Sequence, residues 1–386
     1  MRITTEKNLR FADQPNPLLP NEVREKLPSR KRKKDPGLTE VTFSRALPTE
    51  AAKVDVKAQR DDQMSRSMAG RVERSAERLD IRIANFPLGV HAFPPGMKVK
   101  EIERAGEKER VRESLRTDGF LPDHLDFNAL PAELPAELRT PPFFEAYPQG
   151  RGGKAGFQAT TIFPPDNRVV FNDTAYPWST CGRVDTPLGS GSGVMVGPRH
   201  LLTVSHVIQW NGDGSAGWVR FRPSFFNGSA PFGEAWGVTT YFSMKVSGPT
   251  IDWIEAMYDY VCVVLDRPIG NSTGWMGAKG YSDSWDGGAY WSHIGYPADL
   301  TAANRPTFQG GIALDGAWWE LDANEAISHR ADVWPGQSGG PLFGWWSGES
   351  YPSAVAVQSS QNSSENNASG GQTMVNLILR ARGEHP

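Results

Sequence analysis

The chain has 386 residues and a mass of 42.4 kDa, more than one small core needs, so two domains or one large domain with an appendage is the starting expectation. Its 38% hydrophobic and 10% aromatic content supports a packed core, while a mean hydropathy of -0.47 and the lack of an apolar run of membrane-spanning length argue against a membrane protein. With 41 Lys+Arg against 44 Asp+Glu, a net charge of -3 recommends no nucleic-acid partner.

In chain order, residues 1–60 are polar, charged, Pro-broken and poor in aromatics, which predicts a disordered tail. The opening MRITTEKNLRFADQPNPLLP shows no basic stretch followed by an apolar one, so no secretory signal is recognisable in it. The run Arg30, Lys31, Arg32, Lys33, Lys34 fits a nuclear address, a polyanion patch, a dibasic cleavage site or a solvated basic tail. Residues 61–160 follow as a propeptide or regulatory region. Within it, the Glu, Arg and Ala content of Ser65–Ile83 and of Lys98–Arg116 predicts two helices, and PAELPAEL, TPPFFEAYP and RGGKAG predict an extended connector.

Near residue 160 the composition changes. All 13 Trp lie beyond residue 177 and 33 of the 40 Gly beyond residue 150, whereas the first 150 residues hold 27 of the 41 Lys+Arg and 24 of the 44 Asp+Glu. Short Val-, Thr- and Trp-rich runs such as GVMVG, LLTVSHVI, WVRFRP, WGVTTYFSMKV, YVCVVLD and PSAVAVQSS are separated by turn residues, which predicts an all-β sandwich or barrel over 161–386. The spacing of apolar residues from Met374 to Arg382 predicts a short terminal helix. Two cysteines, Cys181 and Cys262, exclude a disulfide framework and a four-cysteine zinc site, leaving one bridge or two buried thiols.

Three segments carry chemistry. Gly336-Gln337-Ser338-Gly339-Gly340-Pro341 sets a serine on a glycine-rich turn, where its hydroxyl can project and successive backbone N–H groups can converge, as acyl transfer requires. Leu201–Val207 ends an apolar strand at His206, and Asp259 precedes the apolar strand Tyr260–Leu265, where a carboxylate entering a core needs a partner. Asp252 and Asp266 flank the same strand as weaker acid candidates, and His200 and His329 lack the strand-end context of His206. No metal- or nucleotide-binding pattern occurs, so no metal or other cofactor is implied.

The order His, Asp, Ser and the blocks GSGVMVGPRHLLTVSHVI, YDYVCVVLD and DVWPGQSGGPLF resemble the trypsin/chymotrypsin superfamily of serine proteases. DNRVVFNDTAYPWSTCGRV and HIGYPAD narrow the likeness to its glutamyl-endopeptidase-like branch, over roughly residues 160–386. The resemblance implies two six-stranded antiparallel β-barrels preceded by a partly helical, partly disordered region. It also implies a serine endopeptidase with Ser338 as nucleophile, His206 as general base and Asp259 as its orienting acid. Gly336 and Ser338 would form the oxyanion hole, Ser359 would support substrate backbone, and Asp332, Val333 and Gln358 would line the specificity pocket. Gln337 stands where the trypsin branch uses an aspartate to capture a new amino terminus. Gln358 replaces the histidine of glutamate-specific members. Asp332 fits either a pocket-floor selector of Lys and Arg or an acid held by local hydrogen bonds. A protein or peptide substrate, a monomer after processing and secretion follow from the same likeness. The competing expectation is a catalytically silent protease-fold protein that binds peptides or acts as a scaffold.

Overall fold

A computed structural model describes residues 15–31, 72–75, 78–81, 116–132, 134, 162–212, 215–321, 324–361 and 364–386. Strands β1 (Val72–Ser75) and β2 (Arg78–Ile81) make an antiparallel pair with Val72 opposite Ile81. This differs from the single helix expected over Ser65–Ile83: the backbone register between the two runs replaces the local helical preference of their Glu and Arg. The second expected helix, Lys98–Arg116, lies outside the described residues except for Arg116, which opens β3 (Arg116–Thr117). A two-residue strand β4 (Val169–Val170) leads into the β-rich body.

Strands β5 (Cys181–Thr186), β6 (Gly189–Gly197), β7 (His200–Thr203), β8 (Arg220–Pro223), β9 (Ala235–Phe242) and β10 (Val261–Leu265) close an antiparallel barrel in the order β10-β7-β6-β5-β8-β9. Val184, Val194, Leu202, Phe221 and Val263 are buried in its core. All of β10 is buried, which explains its unbroken apolar sequence. The helix Gln372–Glu384, two residues longer at each end than the sequence predicts, contributes Met374, Val375, Ile378 and Ala381 to the same core.

The remaining strands are β11 (Gly277–Lys279), β12 (Trp291–Gly295), β13 (Thr307–Ile312), β14 (Leu314–Leu321), β15 (Asn324–His329), β16 (Pro341–Gly344), β17 (Ser353–Gln361) and β18 (Asn366–Gly370). They form a second curled sheet along β14-β15-β18-β17-β16-β12-β13-β4, with β11 on β17 and β3 on β11. The all-β, two-barrel class is as expected. The second half is a ten-stranded curled sheet, in which the eight strands β11 to β18 are joined by β4 and β3 from earlier in the chain, covering edges of β13 and β11. Trp285, Trp291, Trp346 and Tyr281 pack at its centre with ring centroids 5.4–5.9 Å apart, which accounts for part of the tryptophan richness.

The described part of the front is packed on this body. The helix Pro20–Lys26 begins with a proline and a glutamate in its first turn, where both are favoured. Leu18 and Val23 are buried with Leu125, Phe127, Tyr176 and Trp345. Leu18 N donates to Trp345 O at 2.7 Å, Arg30 and Phe127 exchange backbone hydrogen bonds at 2.9 and 2.8 Å, and Trp178 Nε1 donates to Asn128 O at 2.8 Å. Residues 15–31 are therefore packed on the body although they fall in the tail expected to be disordered over 1–60, the rest of which lies outside the described residues. Isolated apolar residues in a polar stretch gain burial from a partner far away in sequence, which composition does not show. Lys31 pairs with Asp126 at 3.2 Å, and Arg32–Lys34 lie outside the described residues, as does the connector apart from residues 131, 132 and 134.

Cys181 and Cys262 are free and buried, and burial raises both thiols to about 12. Among the described residues no group of His, Cys, Asp and Glu is arranged to hold a metal ion, and no helix is long and apolar enough to cross a membrane.

Candidate active site

The antiparallel register sets Thr203 of β7 opposite Val261 of β10. Chain leaving β7 and chain entering β10 therefore emerge at the same end of the pair, which brings His206, three residues beyond Thr203, to Asp259, two residues before Val261. The short turn Ser205–Val207 is pinned by Ser205 Oγ, which donates to Met244 O at 3.0 Å and accepts from Val246 N at 3.0 Å. His206 N donates to Asp259 Oδ1 at 2.8 Å, and its ring Nδ1 lies 2.6 Å from Asp259 Oδ2. Ser359 Oγ donates to the same Oδ2 at 2.6 Å. Asp259 is wholly buried, so these three hydrogen bonds offset the loss of water around its charge.

The Ser338 turn is brought to Ser359 by the same logic in the second sheet. Pro341 of β16 is opposite Val357 of β17, so the turn before β16 and the end of β17 lie together. Gly339 N donates to Gln358 O and Gln358 N to Gly340 O, both at 2.8 Å, which places the Ser338 turn beside Ser359. Ser192 joins the turn to the first barrel: its backbone N donates to Ser338 O at 2.7 Å, and its hydroxyl donates to Gly336 O at 2.7 Å while accepting from Tyr296 N at 2.9 Å. Gly336 and Gly339 have φ of +100° and +85°, and a Cβ on either would collide with backbone, with Tyr296 O and Ser192 O respectively. The glycines of the motif thus serve the turn and the close approach of the two halves.

Burial opposes protonation of His206, but the adjacent charge of Asp259 and the hydrogen bond to it outweigh burial and hold the imidazole above the ordinary histidine value. The buried histidines His200, His293 and His329 behave oppositely. Burial, the main cause in each case, pushes His200 and His293 down to about 4 and His329 down to about 3. Of these four rings, His206 alone is raised.

The expected pocket residues are also placed. Asp332 is fully buried, its Oδ1 accepting from Phe163 N at 2.7 Å and its Oδ2 from Asn167 N at 2.8 Å, while its own N donates to Gln309 Oε1 at 2.8 Å. Val333 is buried in the core of the second sheet. Gln358 is buried, with its Nε2 directed at Ser360 O and Asn367 O at 3.2 and 3.4 Å. The weaker acid candidates have structural partners elsewhere: Asp252 caps the helix Trp253–Tyr258 by accepting from Glu255 N, and Asp266 accepts from Trp236 N at 3.0 Å. Arg168, Asp299 and Ser192 join the site without having stood out in the sequence. The signal for Arg168 was the Asp166-x-Arg168 spacing, which lets one side chain hydrogen-bond the other.

The chain is 32% identical over 194 residues to a glutamyl endopeptidase of Bacillus licheniformis, a match covering 49% of this chain and 57% of that relative. The chain resembles the glutamyl-endopeptidase-like branch of the chymotrypsin-like serine proteases. The match spans somewhat over half the length of the relative. No protein-family model matches the chain. Among solved structures, a Glu endopeptidase in complex with MPD is similar at 18% identity and a TM-score of 0.47, covering 58% of this chain and 100% of that one. The protease Anisep of Arthrobacter nicotinovorans is similar at 19% identity and a TM-score of 0.40, covering 54% and 98%.

Proposed function

We propose that this protein is a serine endopeptidase that cleaves protein or peptide substrates through an acyl-enzyme on Ser338, with His206 as general base and then acid, and Asp259 as the group that orients it. The carrying observation is the buried Asp259, bonded at once to the backbone and ring of His206 and to Ser359 beside the Ser338 turn. In this scheme His206 takes the Ser338 proton as Oγ attacks the carbonyl carbon. The tetrahedral oxyanion is stabilised by the N–H groups of Gly336 and Ser338, and the imidazolium returns the proton to the leaving amine. Water then repeats the sequence on the ester and frees Ser338. A fluorophosphonate probe tests the reading: labelling of the wild type that is lost in Ser338→Ala supports it, and no labelling of processed protein favours a silent peptide-binding role.

The pH dependence follows from His206. Only the neutral ring can accept the serine proton, and Asp259 favours the protonated ring, so kcat/KM falls as pH drops through a value above about 6.5. Asp259→Asn removes the charge that raises His206, and whatever activity remains is expected to have its acid limb at lower pH. A limb unmoved by Asp259→Asn would assign the titration to another group.

The pocket is uncharged in this scheme and favours small or neutral side chains. Both Asp332 oxygens are engaged by backbone, and Gln358 brings a neutral amide where a histidine would be needed to hold a glutamate carboxylate. A peptide library with Arg, Glu and Ala at the cleaved position decides among the three.

The protein is made as a proenzyme in this reading, with the cut in the connector before Ile162. Residues beyond that point are built into the body through Phe163, Asn167 and Arg168. The front piece is expected to remain bound after the cut. Leu18, Val23, Leu125 and Phe127 each contribute about 1.5–3 kcal/mol by burial, and β3 and the backbone bridges add hydrogen bonds, against the cost of holding two chains together. Limited proteolysis followed by size exclusion should recover both fragments in one peak. A front fragment eluting alone, with the body still folded, would show that it leaves.

A further inference from the structure

We propose that Arg168 is a positioning residue for the nucleophile turn, acting through Gln337, so that the turn takes its working shape without a new amino terminus from proteolysis. The proposal rests on the serine endopeptidase reading. Arg168 precedes β4, and its side chain is 1% exposed. Nη1 and Nη2 donate to the two oxygens of Asp299 at 3.1 and 2.6 Å, and Nε and Nη2 donate to the two oxygens of Asp166 at 3.0 and 2.7 Å. Two carboxylates thus fix the planar fork in place and direction. The same Nη1 also donates to Gln337 Oε1 at 3.0 Å.

That oxygen has a second donor. Trp334 N reaches it at 2.9 Å, while Gln337 N donates to Trp334 O at 3.0 Å, so the Gln337 side chain and backbone close the turn Trp334–Gln337 from both sides. Gln337 is buried, its Cβ lies against Gly295, and Ser338 is the next residue. The turn carries Gly336 and Ser338, whose N–H groups must converge on the oxyanion. Rotation of the Gln337 amide would break the bond to Trp334 N and open the turn.

A buried neutral amide has little power to draw an ammonium group out of water, but its oxygen is a good acceptor for a guanidinium already fixed by two carboxylates. The cation at this position therefore comes from within the chain, upstream of the first barrel, and is present before any cut. Lysine cannot replace it, because one ammonium cannot span Asp166, Asp299 and Gln337 in the same plane.

The test compares wild type, Arg168→Met, Arg168→Lys, Gln337→Leu and the Arg168→Met/Gln337→Leu double variant. It reads kcat and KM on a peptide substrate, amide hydrogen exchange over Trp334–Ser338, and thermal unfolding. Arg168→Met and Gln337→Leu are each expected to lower kcat at least tenfold with KM changed less than threefold, and to speed exchange across the turn. Arg168→Lys should recover less than a third of the lost kcat. The double variant should be no more than twofold worse than the worse single one, since both break one connection. Intact and connector-cut wild type should show equal protection over Trp334–Ser338. Folded Arg168→Met with kcat within twofold of wild type and unchanged exchange over the turn would overturn the proposal, as would losses that multiply in the double variant or protection that appears only after cutting. Should Arg168→Met fail to fold, Gln337→Leu and the intact-against-cut exchange decide. If wild type neither hydrolyses peptides nor labels with the probe, the protease reading fails, while the exchange comparison still judges the contact.

Discussion

Ser338→Ala and His206→Ala are each expected to lower kcat by on the order of 10⁶, and Asp259→Asn by on the order of 10⁴, with the fold retained. The losses should not multiply. Once the nucleophile is absent the base has no proton to take, so the Ser338→Ala/His206→Ala pair should be about as slow as either alone. Asp259→Asn acts differently. Its amide nitrogen cannot accept from His206 Nδ1 and from Ser359 Oγ, so the ring loses the partner that holds its proton on Nδ1 and leaves the other nitrogen free to accept. Single-turnover hydrolysis with thermal unfolding in parallel separates chemistry from stability. Asp252→Asn and Asp266→Asn serve as controls, because Asp252 caps a helix and Asp266 holds Trp236 N. Loss of a cap costs about 0.5–2 kcal/mol and should leave kcat nearly unchanged. Full turnover in Asp259→Asn, with activity lost in either control, would show that the acid had been wrongly assigned.

The same residues show why the sequence revealed some parts of the molecule and not others. His206, Asp259 and Ser338 each lie within a few residues of an apolar strand, and strand ends set by local pattern bring them to one edge of their sheets. Turn geometry was legible for a similar reason, since Gly336 and Gly339 are needed by the backbone itself. Arg168 with Asp299 was not legible: the pair is separated by 131 residues, and an arginine beside a single aspartate looks solvated until a distant partner is known. The packing of Leu18 and Val23 on Phe127 and Trp345 was hidden for the same reason. The segment Ser65–Ile83 misled in the other direction, because Glu and Arg favour a helix locally while pairing of Val72 with Ile81 is a cross-strand effect. The two strands added to the eight of the second half, β3 and β4, are two-residue pieces too short to leave a periodic pattern.

Asp332→Ser is expected to destabilise the protein rather than alter its choice of substrate. The carboxylate is wholly buried and both oxygens are occupied, by Phe163 N and Asn167 N, so its charge is directed at the segment that leads into the body. Serine is too short to reach either donor, and each backbone N–H left without an acceptor costs about 1–3 kcal/mol, toward the low end here because both bonds are only partly buried. The combined loss of about 2–4 kcal/mol corresponds to a fall in Tm of very roughly 5–15 °C for a body of this size. Asp332→Asn keeps one acceptor and should lose about half as much. A pocket-floor selector predicts the opposite pattern: strong cleavage after Arg and Lys in the wild type, lost in Asp332→Ser, with little change in Tm. A peptide library and a thermal melt on the same three proteins separate the cases. The full burial of Asp332 and its two backbone bonds favour the first, since a substrate cation could reach this carboxylate only by shedding its water inside the core beside two donors already in place.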